Sequence, residues 1–579
     1  MIFKKYLTLS SVVAVVCCGL TVAANAESFQ TRHVFDVVAK GQVQMVGHLP
    51  SSQIMQLDVM LPVNDAKALE DFATAVSDPK SKSYRKFMTP DEFSATFGPS
   101  HQDYDATLRY LQSYGLTVVG GSWQQMDIQV KGPVSAIEAA FNVQMNNYQH
   151  PTENRTFYSP DREPTTNLPV ALWHVSGLDN FSIPKPKLAR RSEIAAARGI
   201  TPEEVSPMAT TGSGPGHSYL GSDMSYAYFE NYNRTTYQGQ GQNLGLFEYV
   251  GTNLTDLHTY YHNVGQTLNV PVTLYSTDGT PVQCIYTKYD HWCDDTEQTL
   301  DMTQALGMAP ELSNLTMYVG STDSAIIGAM TVHSPLPMTI GCSWGWYPVD
   351  PSTLNPLFER MAAQGQSFFV AAGDSGNWAD SGYVWPADNA WVISVGGTDL
   401  VTTGPAGYWA SESAWEYGGG GVSVDGVSIP TYQSAPGGSS TLEVEVVNSN
   451  NHASGTYRNG PDVAANANFT FYVCADMSPC TENDYGGTSF AAPMWAGAMA
   501  LINQAQAVTH QVPVGFINPT LYFYGSLYFY EEPSEYSNYM HDITTGAQYN
   551  GYSAITGYDL ATGWGTPTIK ICYFFGDCG

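Results

Sequence analysis

The rhythm of apolar and polar positions changes along the chain, and the changes divide it. Residues 7–24 form one apolar run, opened by Lys4 and Lys5 and followed by Asn25 and Ala26. That is the order of a secretory signal, cleaved after Ala26. Across residues 27–184, short alternating runs mix with helical ones. Met126, Ile128 and Val130 alternate with Asp127 and Gln129 as a half-buried strand does, and residues 172–175 read the same way. Thr89, Pro90 and Glu92 make a capping box with proline in the first helical position, which predicts a helix over residues 91–97. These signals predict an α+β domain. Residues 185–216 lose the pattern, carry the dibasic Arg190 and Arg191, and end in a Gly/Ser/Pro-rich tract. They read as an exposed linker, where proteolytic processing concentrates.

Beyond the linker the apolar runs become continuous. Residues 244–247, 338–345 and 367–372 read as strands buried on both faces, each followed by glycines or polar residues. Residues 217–579 are therefore predicted to be α/β, a doubly wound parallel sheet that binds ligands beyond the carboxyl ends of its strands.

At 579 residues the chain exceeds one ordinary core, which agrees with two domains. A formal charge of −30 excludes a nucleic-acid partner, because nothing would neutralise phosphates. The charge is also lopsided: 18 of the 23 Lys and Arg lie at or before Arg198. A basic N-terminal module docked on an acidic C-terminal one is expected, with the attraction weakening as acid protonates carboxylates. Cys284 with Cys293, Cys474 with Cys480, and Cys572 with Cys578 could each close a short loop in an oxidising compartment. Cys342 is left as a buried thiol. No stretch after the signal is long and apolar enough for a membrane anchor, so a secreted chain is expected.

Candidate chemistry starts at Gly486 and Gly487, which deliver Ser489 to the head of an apolar run over residues 491–502. Glycine lets backbone approach a substrate carbonyl, and a helix N-terminus favours a developing oxyanion. Pro493 is expected within the first turn or so, where its missing N–H costs little. A nucleophilic serine needs a base. No histidine is followed by glycine, and the first strand of the sheet ends in Glu248, Tyr249, Val250 and Gly251, so the partner motifs of a histidine triad are missing. The chain offers instead Glu297 and Asp301, four apart on one predicted helical face, and Asp374 in a Gly-Asp-Ser-Gly turn after an apolar strand.

Glu297-x-x-x-Asp301, Gly373-Asp374-Ser375-Gly376 and Gly487-Thr488-Ser489 with Pro493, in that order, resemble the pattern of the sedolisin family of serine-carboxyl peptidases. Ser343-Trp344-Gly345 and Arg458-Asn459-Gly460-Pro461-Asp462 extend the resemblance, and residues 78–99 are similar to a pro-kumamolisin activation domain. The resemblance implies a subtilisin-like catalytic domain behind an inhibitory pro-domain, in a self-activating precursor. It implies Ser489 as nucleophile, Glu297 as general base and then acid, Asp301 as its orienting partner, and Asp374 as donor on the oxyanion side. Carboxylates suit acid, because a histidine base would be protonated near pH 4 where Asp and Glu titrate. One calcium ion per chain is also implied, held by the side chains of Asp542 and Asp559 and the carbonyls of Ile543, Ile555 and Gly557. The expectation is thus a secreted, monomeric, acid-acting endopeptidase for peptide or protein substrates. Its rivals are a tripeptidyl exopeptidase of the same family and a non-catalytic peptide-binding relative, the latter disfavoured because no catalytic residue is missing.

Overall fold

The computed structural model describes residues 28–576, apart from 207–208, 230–235, 285, 288–289, 292–293, 435–445, 448–449 and 532. The expected signal at residues 1–26 lies outside the described residues, as do Cys293 and Cys578.

A sheet of eight strands carries the C-terminal part. Its order is Val272–Ser276, Asn314–Val319, Asn243–Glu248, Thr339–Cys342, Ser367–Ala371, Ile393–Thr402 and Trp409–Ala414, with Val463–Asn466 also paired to Ile393–Thr402. The pairings are parallel except the last hairpin, Ile393–Thr402 with Trp409–Ala414. Every residue of Thr339–Cys342 and of Ser367–Ala371 is buried, which is why those runs are apolar without alternation. Trp344–Gly345 leaves the sheet and pairs elsewhere, so the run at 338–345 is two strands rather than one.

Two helices lie where the candidate residues need them. Thr488–Val508 is buried along almost its whole length, and Thr296–Met308 packs against it. Small residues let them close: a Cβ on Gly497 would come within 2.7 Å of Met308, and one on Gly307 within 2.2 Å of the Gly221 backbone. An acidic helix face can therefore be sealed from solvent. Cys474 and Cys480 form a disulfide, and Cys342 is a buried free thiol.

The N-terminal part is α+β, as its pattern predicts. One antiparallel sheet has the order Thr117–Gly120, Asp127–Pro133, Ile54–Met60 and His174–Ser176, and a second joins Met45–His48, Met145–Gln149 and Thr156–Pro160. The helix Pro90–Phe97 opens with the expected capping box between Thr89 and Glu92.

Residues 185–216 differ from the exposed linker expected of them. Lys187 and Arg191 are only 6% and 5% exposed. Lys185–Pro186 pairs antiparallel with Trp344–Gly345, Ala189–Arg190 pairs with Tyr485–Gly486, and a helix follows at Arg191–Arg198. Backbone pairing needs no apolar rhythm, so a polar segment is buried here by strands far away in sequence.

The N-terminal part docks on the sheet domain mainly through apolar packing. Met60, Phe93 and Met126 share one core with Ile326, Met330, Phe358 and Met361. Each such side chain contributes about 2 kcal/mol by burial, whereas a part-exposed ion pair such as Arg190 with Asp484 at 3.0 Å is worth about 1 kcal/mol or less. Packing therefore outweighs charge. Asp58 accepts a hydrogen bond from Ser324 across the contact, and burial, with Asp127 beside it, holds its carboxyl well above the usual range. A carboxyl raised in the docked state favours docking in acid and opposes it as pH rises. These buried groups work against the acid release that the charge count suggests.

Candidate active site

Ser489 is the second residue of the helix Thr488–Val508 and is fully buried. Gly487, just before the helix, has φ 151°, and a Cβ there would lie 2.3 Å from the Lys187 carbonyl oxygen and 2.8 Å from Asp374 Oδ2. Only glycine admits that approach. Pro493 stands inside this helix, one turn beyond the first-turn position expected for it. Lacking an N–H, it cannot bond the Ser489 carbonyl four residues back. That oxygen has instead the Ser343 hydroxyl 3.3 Å away.

Glu297 and Asp301 project from Thr296–Met308, and both are buried, 3% and 0% exposed. Asp301 Oδ1 accepts the Ser343 hydroxyl at 2.8 Å, and its Oδ2 has no partner. Neither Glu297 oxygen completes a hydrogen bond, although the Ser489 hydroxyl lies near enough to favour its ionised form. Burial above all, then the negative charge of Glu248 and Asp374, raises Glu297 well beyond the ordinary carboxyl range. Burial followed by Glu297 and Glu248 does the same to Asp301.

Glu248, noted in sequence only as the end of a strand, belongs to the same cluster. It accepts hydrogen bonds from Gln298 Nε2 and Trp344 Nε1, both at 3.0 Å, and burial lifts it to about 8. A carboxylate ending an apolar strand beyond the middle of a parallel sheet was the available signal.

Asp374 follows the strand Ser367–Ala371. Its Oδ1 accepts the Thr488 N–H at 2.7 Å and the Thr488 hydroxyl at 3.0 Å, which leaves Oδ2 without a partner. Burial lifts it to about 7 against the pull of those donors and of Lys187. Between Asp374 and Ser489 lies the segment that sequence reading took for linker. The Lys187 N–H donates to Ser343 O at 2.8 Å, and the Lys187 carbonyl accepts the Ser489 N–H at 3.1 Å. An extended chain is thus threaded between two strands, with one carbonyl against a serine amide at a helix N-terminus and an unpartnered carboxyl.

Farther away, Asp542 and Asp559 sit in the C-terminal loops. Both Asp542 oxygens accept the Gly557 N–H at 3.1 Å, and Asp559 accepts the amides of Ile555, Ala561 and Thr562. Burial raises them to about 6 and about 7. Among the described residues neither has a cationic side chain in ion-pair contact, and no group of three or more His, Cys, Asp or Glu forms a metal cluster. Two desolvated carboxylates without a cationic partner are hard-oxygen donors of the kind calcium takes.

Fold and site together define a hydrolase, a serine-type peptidase with carboxylates where a histidine base would stand. The model of the pro-kumamolisin activation domain matches residues 41–181, and that of the subtilase family matches residues 299–513. Kumamolisin of Bacillus sp. (strain MN-32) is 29% identical over 514 residues, 83% of this chain and 84% of that one. Sedolisin of Pseudomonas sp. (strain 101) is 25% identical over 90% of this chain and 87% of that one. Tripeptidyl-peptidase SED4 of Arthroderma otae is 23% identical over 94% and 93%. The chain is a peptidase of the kumamolisin and sedolisin family that carries its own activation domain, and so a zymogen.

Proposed function

We propose that the protein is a secreted endopeptidase, active in acid, that releases itself by cutting the Lys187–Leu188 bond. The observation that carries this reading is the seating of residues 185–190. Lys185–Pro186 is paired before that bond and Ala189–Arg190 after it, so the cleft holds chain on both sides. A tripeptidyl enzyme needs a stop three residues before the bond. Here the chain continues past Lys185, and the Ser182 hydroxyl accepts the Tyr347 N–H at 2.8 Å.

In this reading Ser489 Oγ attacks the carbonyl carbon while its proton passes to Glu297. Asp301 positions Glu297, and protonated Asp374 with the Ser489 N–H donates to the oxyanion. The C–N bond then breaks, and the leaving amine takes the proton. Water adds to the ester, gives a proton to Glu297, and the acyl group departs as Ser489 recovers its own. Asp374, lifted to about 7 by burial, supports acid action, since the oxyanion donor must be neutral. Calcium held by Asp542 and Asp559, with the carbonyls of Ile543, Ile555 and Gly557, would neutralise the C-terminal loops and take no part in the reaction.

The test is digestion of a denatured protein at about pH 4 by the matured enzyme, with the peptides read by mass spectrometry. Internal fragments of mixed length support the reading. A ladder of tripeptides would make the enzyme an exopeptidase, and an intact substrate would leave a binding protein.

A further inference from the structure

We propose that Asp484 makes this peptidase select a basic side chain at the third position on the leaving side of the bond it cuts. The proposal rests on the reading that residues 185–190 occupy the cleft as substrate does, with Lys187–Leu188 as the bond, so that Arg190 holds that third position. Arg190 belongs to the dibasic pair that the cleavage chemistry leaves unexplained.

The backbone sets the register. Ala189–Arg190 pairs antiparallel with Tyr485–Gly486, Arg190 opposite Tyr485, and the Arg191 N–H donates to the Asp484 carbonyl at 2.7 Å. In that register the Arg190 side chain reaches the Asp484 carboxylate: Nε and Nη2 donate to Oδ2 at 3.2 Å and 3.0 Å. Its guanidinium lies over the Tyr485 ring, 5.0 Å from the centroid, within reach of a cation–π attraction. Ser192 adds its N–H on Oδ1 at 2.9 Å and its hydroxyl on Oδ2 at 3.0 Å.

These donors to the carboxylate all come from the leaving side of the bond. Among the described residues no cation of the catalytic domain forms an ion pair with Asp484, whose side chain is 15% exposed. Departure of the leaving segment therefore strips a largely desolvated carboxylate of its donors, and a substrate that brings a guanidinium to the same place restores them. The carboxylate is also held in position relative to the nucleophile. Asn483, just before it, has φ 57°, and its N–H donates to Phe471 O at 3.0 Å. The Phe471 ring stacks at 3.9 Å on Phe490, the neighbour of Ser489. Arg191 is not recognised in this way: its Nη1 donates at 3.3 Å to Ser206 O within its own segment, and it forms no ion pair among the described residues.

The experiment gives the matured enzyme three peptides with the sequence of residues 183–192, each ending in an amide. One keeps both arginines, the second has uncharged citrulline at the Arg190 position, and the third has it at the Arg191 position. At about pH 5.5, above the ordinary aspartate range, kcat/KM for the first should exceed the second by about fivefold, the scale of a part-exposed ion pair with a ring beside it. The third should be cut as the first is. Asp484→Asn should remove the difference between the first two. Equal cleavage of those two by the wild type overturns the proposal whether or not the variant folds. An equal loss from either citrulline, which is attraction by net charge, overturns it as well, and so does a preference that survives in Asp484→Asn. If denatured protein is cut while none of the peptides is, the seating is wrong and the proposal falls with it. If nothing is cut, the peptidase reading fails first.

Discussion

The Lys187 carbonyl oxygen accepts the backbone N–H of Ser489 at 3.1 Å, within the crowded space where a Gly487 Cβ would also meet Asp374 Oδ2. A carbonyl held by an N–H at a helix start beside a carboxyl is poised for attack. The first new terminus on acidification should therefore be Leu188. Mass spectrometry of the precursor, sampled early, reads it directly. Ser489→Ala should stay whole, and a first cut elsewhere in residues 185–216 would displace Lys187 from the reacting position.

Asp374 provides the second prediction. Burial raises it to about 7, so it is neutral below that pH and loses its proton as pH climbs through it. A donor to the oxyanion is then lost, and activity should fall on the alkaline side. Asn at this position keeps an oxygen for Thr488 and places an N–H where Oδ2 stood, so Asp374→Asn should retain part of the activity and lose the alkaline limb. Asp374→Ala should cost about 10²–10³ in kcat. An unchanged alkaline limb in Asp374→Asn would assign it to another group of the cluster, such as Glu248.

How much of this was legible in sequence depended on whether the cause was local. The Thr89 and Glu92 capping box and the buried strand Ser367–Ala371 are set by neighbours in the chain, and they read correctly. Glu297 and Asp301 were legible as a pair four apart, but their burial depends on Gly497 and Gly307 letting their helix close on Thr488–Val508 and on the Gly221 backbone. Glu248 could not be assigned, because its partners Gln298 and Trp344 arrive from other elements. The seating of Lys187 was invisible for the same reason: backbone pairing leaves no mark on side-chain pattern. Pro493 misled because proline is common in first turns, and here the helix tolerates it deeper inside, where the freed Ser489 carbonyl lies near a hydroxyl.

Calcium gives the third prediction. If an ion is held by Asp542 and Asp559, it binds only the folded chain and adds about 2.7 kcal/mol at a concentration about a hundred times Kd. Chelation should then lower Tm, and Asp559→Asn should abolish that sensitivity. Equal melting with and without chelator, or a protein without one bound calcium per chain by elemental analysis, would remove the site.

The last prediction concerns how the pro-domain lets go, and it rests on two stacked imidazoles. His33 and His174 lie 4.4 Å apart, nearly parallel, and are 1% and 8% exposed. The Val175 N–H donates to His33 Nε2 at 3.0 Å, so that nitrogen carries no proton, and Nδ1 faces Glu163. The Thr31 hydroxyl already donates to Trp173 O, so His174 Nδ1 must be the donor to it at 2.8 Å. Protonating His33 would turn an N–H against the Val175 N–H, in the strand His174–Ser176. That strand touches the catalytic domain at each end: Trp173 Nε1 donates to Thr353 O at 2.7 Å, and the Ser176 and Ser324 hydroxyls are 2.9 Å apart. Burial lowers both histidines, with Glu163 and Asp350 opposing at His33. A histidine lowered in the folded state adds stability that is complete above its ordinary value near 6.5 and is lost as pH falls below it. Asp58 and Asp127 act in the other direction, so the two histidines must outweigh them for acid to loosen the pro-domain. In a Ser489→Ala background, which cannot process itself, the melting of the pro-domain should fall as pH drops from about 7 to about 5. His33→Gln with His174→Gln keeps an acceptor for Val175 without a titrating ring, and should flatten that fall. An equally steep fall in the double variant would place the acid sensor elsewhere.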